Sequence, residues 1–184
     1  MATNADEHGI TREQMVKLLN EDLAREYQAI IAYTVYSQVI KGAEYMHIAK
    51  ELEVHALEEL QHALTLSKQI DYFGGQPTVV QKEVKTSKEA KDMLRFDLEA
   101  ENETVTHYRQ RVRQAEALGE FALAEDLRQI LVQEQHHQIE LATALGIDVP
   151  EAGLGSEKAP VENGNDKVPQ NGGNRVSARI AGKS

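Results

Sequence analysis

The sequence predicts an all-α protein, a four-helix bundle built from two antiparallel hairpins and one long crossover. Three observations carry that reading. Between residues 10 and 145 the only glycines and prolines are Gly42, Gly74, Gly75, Pro77 and Gly119. The blocks between them are rich in Ala, Leu, Glu, Gln and Arg, residues that cost a helix least. Each block also repeats apolar residues at alternating steps of three and four, as one buried helix face requires.

Helix α1 is expected over about 12–41, opened by a capping box of Thr11 with Gln14. Helix α2 follows Gly42, over about 43–73, and stops at Gly74. Helix α3 is expected over about 87–118 behind a second box, Thr86 with Glu89. Helix α4 covers about 120–145 and ends at Gly146. Single glycines join α1 to α2 and α3 to α4, so each pair folds back on itself. The 13 residues from Gly74 to Thr86 reach roughly 43 Å when extended at ~3.3 Å per residue. A 30-residue helix is about 45 Å long. The linker can therefore return along the bundle and start α3 parallel to α2.

These elements assign residues 1–150 to the bundle domain. Residues 151–184 hold half of the chain's Gly and Pro, no aromatics and no apolar periodicity, and are expected to be a disordered, low-complexity tail. The net charge of −10 argues against nucleic acid or an anionic membrane as partner and suits attraction of cations. The absence of cysteine excludes disulfides, thiolate metal sites and cysteine nucleophiles. Residues 1–7 lack the basic start and apolar run of a signal peptide, and no stretch reaches the ~20 apolar residues of a membrane helix. The cytoplasm is the expected location.

The buried seams carry the functional signal. They read Leu19, Leu23, Glu26, Ile30, Tyr33, Ser37, Ile40 on α1 and Ile48, Leu52, His55, Glu59, His62, Leu66 on α2. On α3 the seam is Leu94, Leu98, Glu101, Val105, Tyr108, Val112, and on α4 Leu123, Leu127, Ile130, Glu134, His137, Leu141. Every seam has a glutamate near its middle, and α2 and α4 each add a histidine three residues on. Glu26 to Glu59 and Glu101 to Glu134 are both 33 residues apart. Four buried carboxylates without counter-charge would destabilise the fold or stay protonated. Two divalent cations balance them, and the i, i+3 spacing sets each Glu and His on one helix face. The candidate metal ligands are therefore Glu26, Glu59, His62, Glu101, Glu134 and His137. Glu99 and Glu103 flank Glu101 but lie off the stripe.

The pattern Glu26, Glu59-Leu60-Gln61-His62, Glu101, Glu134-Gln135-His136-His137 resembles the ferritin-like di-iron carboxylate family, most closely bacterioferritin, over residues 10–146. A Glu from each of two helices with Glu-x-x-His from the other two is that family's known bundle-core site. The resemblance implies a ferritin-like bundle with two iron ions, Glu59 and Glu134 as bridges, and His62 and His137 as terminal imidazoles. Tyr33 falls where the family has a tyrosine beside the metals, as an electron or hydrogen-bond donor. The implied activity is a ferroxidase, oxidising Fe²⁺ with O₂ or peroxide for iron storage or detoxification. Two alternatives stay open. One is a peroxidase- or catalase-like dinuclear oxidoreductase, with iron or manganese, which Glu/His ligands do not separate. The other is a metal-stabilised structural or cargo protein.

Haem is not expected, because Leu60 stands where haem-binding relatives place a methionine. The family's cages carry a fifth helix, yet residues 146–153 show no helical pattern. A homo-oligomer of at least two chains is expected, with a cage left open. His55 is a candidate extra ligand or access-path residue. His47, His107 and His136 fall off the seams and are expected in solvent. Arg109, Arg111 and Arg113 are expected to form a surface or inter-subunit salt-bridge cluster, and Arg175, Arg179 and Lys183 to serve a solubilising tail.

Overall fold

The computed structural model describes residues 10–150, so the tail expected at 151–184 lies outside the described residues. Among the described residues, helices α1 (Arg12–Val39), α2 (Met46–Tyr72), α3 (Ala90–Ala117) and α4 (Phe121–Leu145) are joined by short turns and one extended crossover. No helix among them is long and apolar enough to cross a membrane.

The Thr11 capping box forms as expected: the Thr11 hydroxyl accepts the Gln14 N–H at 3.2 Å, and the Gln14 side chain accepts the Thr11 N–H at 2.7 Å. The first hairpin turn is longer than one glycine. Helix α1 stops at Val39, and a 3-10 turn at Ala43–Tyr45 precedes α2. Gly42 holds φ +132, where a Cβ would meet Glu44 and Tyr45 at 2.8 and 2.9 Å. The second hairpin does turn at a single glycine, Gly119, at φ +74. Helix α3 starts three residues later than expected, and Thr86 does not cap it. Ser87 organises the start instead: its hydroxyl accepts the Glu89 N–H at 3.0 Å and donates to Asp92 at 3.1 Å.

The crossover stays extended because α1 holds it along its length. Asn20 accepts the Thr78 N–H at 2.6 Å and donates to the Gln76 carbonyl at 3.2 Å. The Lys82 N–H reaches the Ala24 carbonyl at 3.0 Å, Gln28 donates to the Glu83 carbonyl at 2.6 Å, and the Tyr36 hydroxyl donates to the Lys85 carbonyl. These partners climb α1 in order, so the strap runs alongside it and α3 begins at its far end. Helix α3 is thus antiparallel to α1 and parallel to α2, as the linker length predicts.

The seams form two apolar clusters. One gathers Leu19, Leu23, Leu66, Val112, Leu127 and Ile130; the other gathers Ile40, Ile48, Leu52, Leu94, Leu98 and Leu141. Of the seam positions, only Ile30 and Ser37 are merely half-buried. Between the two clusters lies a polar layer contributed by all four helices.

Candidate metal centre

The layer consists of the residues marked in the seams. Glu26 and Tyr33 come from α1, Glu59 and His62 from α2, Glu101 from α3, and Glu134 and His137 from α4. All seven are at most 3% exposed. The six metal-ligand candidates converge into two groups, Glu26/Glu59/His62/Glu134 and Glu59/Glu101/Glu134/His137. Within each group, one ligand atom per residue lies within 4.8 Å of the others. Glu59 and Glu134 belong to both groups, which is what two adjacent cations sharing bridging carboxylates require.

The imidazoles face the carboxylates through Nδ1. His62 Nδ1 lies 2.9 Å from Glu59 and 3.2 Å from both Glu26 and Glu134. His137 Nδ1 lies 3.0 Å from Glu59 and 3.4 Å from Glu134. The Nε2 atoms point outward to supports, 2.9 Å to Gln133 Oε1 for His62 and 2.8 Å to Glu58 Oε2 for His137. Such a partner on the outer nitrogen fixes the ring and leaves the inner nitrogen to ligate. Tyr33 donates to Glu101, and Tyr108 donates to Glu26 at 2.5 Å.

The donor set fits divalent cations on its own evidence. Glu59 Oε1, Glu101 Oε2, both Glu134 oxygens and His137 Nδ1 are buried without a hydrogen-bond partner, and unsatisfied buried polar atoms of this kind cost stability unless a ligand takes them. Burial, then the neighbouring carboxylates, push Glu26 and Glu101 well above the ordinary range. Burial opposes charge on the imidazoles, but the facing carboxylates outweigh it. They raise His62 strongly and bring His137 up to about 12. Burial would raise Glu59 and Glu134 as well, and Glu59 adds to this at Glu134, yet contact with the two imidazoles holds both low. Without cations, charge balance therefore falls to protons on the histidines and the two outer glutamates. Divalent cations can take that role directly.

Several neighbours escape a reading of single seams. Gln133 and Glu58 lie one residue before Glu134 and Glu59, off the apolar stripe. Tyr108 reads as core until its hydroxyl is seen on Glu26. Arg111 corrects the expected surface cluster: it is 2% exposed, with Nε 2.6 Å and Nη2 3.2 Å from the carboxylate of the buried Asp22. It lies three residues after Tyr108 and so shares the helix face turned to α1. Arg25 also pairs with Asp22, while Arg113 is exposed. His55 belongs to neither ligand group. It is buried, with Nε2 2.6 Å from Glu140 and its ring 4.0 Å from that of His137. His47 and His136 are exposed; His107 is half-buried, with Nδ1 2.7 Å from the Glu103 carbonyl.

Known proteins resemble the chain in the same elements. A family model described as a ferritin-like domain matches residues 16–148. A bacterioferritin of Desulfovibrio desulfuricans is 27% identical over 139 residues, covering 74% of this chain and 75% of that protein. The solved structure of a ferritin-like, diiron-carboxylate protein from Bacillus anthracis superposes with a TM-score of 0.70 at 32% identity, over 73% of this chain and 96% of that one. Rhodobacter capsulatus bacterioferritin, described with a metal-free dinuclear site and heme iron, superposes with a TM-score of 0.67 at 21% identity, over 73% and 84% of the two chains. This last likeness speaks for the fold alone.

Proposed function

The chain belongs to the ferritin-like domain family, and we propose that it is a ferroxidase of the bacterioferritin type that oxidises Fe²⁺ with O₂ or peroxide. The observation that carries this reading is the pair of buried ligand groups sharing Glu59 and Glu134. Bound iron supplies the redox chemistry, each Fe²⁺ giving one electron to the oxidant. The chain supplies the rest. Glu59 and Glu134 hold two cations side by side. Glu26 with His62 and Glu101 with His137 complete one position each, and hard carboxylate oxygens favour the ferric product. The Tyr33 and Tyr108 hydroxyls orient the outer carboxylates, and Tyr33 lies close enough to serve the reaction directly. The apolar clusters on either side keep bulk water out.

The surface supports a homo-oligomer. Ile31, Val35 and Val39 on α1 and Leu57, Leu60 and Leu64 on α2 are 40–66% exposed apolar side chains at helical spacing. Contiguous apolar stripes of this kind mark interaction surfaces, and a second copy of the chain is the partner this reading assigns. Leu60 lies in that stripe and has no lone pair for a haem iron.

Oxygen consumption on adding Fe²⁺ tests the activity. The wild-type chain should consume oxygen in proportion to iron at two Fe²⁺ per chain, and His62→Ala should slow the reaction by orders of magnitude. An equal rate in His62→Ala would make the oxidation adventitious. The same assay with Mn²⁺ and peroxide separates the catalase-like alternative.

A further inference from the structure

Shifting the numbering by 75 residues maps Asp22, Glu26, Tyr33, Glu59 and His62 onto Asp97, Glu101, Tyr108, Glu134 and His137. The two hairpins are thus near-copies around the metal layer, and Asp97 is the counterpart of Asp22. Both aspartates are buried, and both stand one helical turn before an outer glutamate. Their surroundings differ. Asp22 is neutralised by Arg111 and Arg25. Asp97 is 4% exposed, and its Oδ2 has no hydrogen-bond partner. It lines a cavity of about 180 Å³ between α1, α3 and the crossover, together with Arg25, Tyr33, Tyr36, Lys85 and Glu101. Of the cations in that wall, Lys85 pairs with Glu99 at 3.0 Å, and Arg25 shares Asp22 with Arg111 and keeps a buried Nε without a hydrogen-bond partner. The exposed Glu99 and Glu103 stand at its rim. A second, smaller cavity of about 10 Å³ shares Arg25 and Glu101 in its wall and is lined also by Glu26, Glu59 and Glu134.

We propose that this cavity admits divalent transition-metal ions to the dinuclear centre and that Asp97 is their transit ligand. An arriving hydrated cation meets the rim carboxylates first. It then exchanges water for the unpartnered Asp97 oxygen and passes to Glu101, four residues further along α3. The smaller cavity beside the ligands is about the size of one water, so the ion must shed most of its hydration before the last step, and the Asp97 side chain at that threshold replaces a lost oxygen. The inference rests on the ferroxidase reading above for its destination.

Anaerobic stopped-flow uptake of Co²⁺ by the full chain tests it, with stoichiometry taken from equilibrium titration. Cobalt is not oxidised under these conditions, so the readout is binding alone. Asp97→Asn and Asp97→Ala should still bind two Co²⁺ per chain but take them up about tenfold more slowly, because the carboxylate that stands in for shed water at the threshold is lost. Glu51→Gln changes the wall of a separate cavity between α2 and α4 and should leave the uptake rate unchanged. Wild-type uptake rates in both Asp97 variants would overturn the transit role. Slowing in Glu51→Gln alone would do so too, by moving the route to the opposite face. Reduced stoichiometry in both Asp97 variants would make Asp97 part of the site's scaffold instead. A wild-type chain that binds no metal pair refutes the dinuclear reading itself, a result seen before any variant is made.

Discussion

The two halves of the metal layer share one plan and differ in their outer supports. In the half of Glu26 and His62, the imidazole leans on the neutral amide of Gln133, and the nearby Asp22 is tied up by two arginines. In the half of Glu101 and His137, the imidazole leans on the carboxylate of Glu58, and Asp97 has no cation of its own. The first half is locked by its ion pairs. The second has the more electron-rich histidine and opens on a cavity. A duplicated plan sets where the candidate ligands stand, while the groups outside them differ between the halves.

The shared carboxylates are where the two halves depend on each other most. The double variant Glu59→Ala/Glu134→Ala should lose both metals, falling from two per chain to none by elemental analysis after dialysis. Retention of both metals would mean the halves do not share ligands. The locked half should be the more costly to break mechanically. Arg111→Met should lower stability by about 3 kcal/mol, the low end for a broken buried pair because Arg25 still faces Asp22. Denaturant unfolding of the metal-free chain measures it, and Asp97→Asn should show no comparable loss.

Acidity acts on both halves in the same direction. His62 and His137 are raised and hold protons through neutrality, and Glu26 and Glu101 are shifted in the same direction. Binding must expel the imidazole protons, about one per divalent ion, so apparent affinity should fall by about tenfold or more per ion for each unit the pH drops. Calorimetry in buffers of different ionisation enthalpy counts the protons released, and a pH-independent affinity would contradict the electrostatics. The supports should then separate the halves. Glu58→Gln should weaken the His137 position by about 10- to 100-fold, the usual cost of losing an outer-layer carboxylate. Gln133→Leu should weaken the His62 position less. Equal effects would erase the asymmetry. The smallest expected change is none at all: haem feeding should give no Soret band, because Leu60 offers no ligand atom.

The helices and the convergence of the six candidate ligands are legible in the sequence because they obey rules internal to one helix. A seam at steps of three and four places Glu26 or Glu101 in the core, and i, i+3 spacing joins Glu59 to His62 and Glu134 to His137. Residues whose roles depend on a neighbouring helix were less legible. Arg111 looked like a surface cation because nothing local shows that Asp22 lies across from it. Glu58 and Gln133 sit beside the stripe, and only the packing of α2 against α4 brings them to the opposite histidine. The start of α3 falls later than the Thr86 box predicts for a similar reason, since hydrogen bonds from α1 hold the crossover extended as far as Lys85. One signal for the second layer did lie in the sequence. The offset of 75 residues carries Asp22 and Tyr33 onto Asp97 and Tyr108 as well as the ligands onto each other.

The central claim is that two cations sit side by side, sharing Glu59 and Glu134. Anomalous diffraction from an iron-loaded crystal, collected at the iron and manganese edges, tests it most directly. The account predicts two iron peaks per chain, one among Glu26, Glu59, His62 and Glu134 and the other among Glu59, Glu101, Glu134 and His137. A single peak in this layer, or iron bound only outside it, would contradict the account.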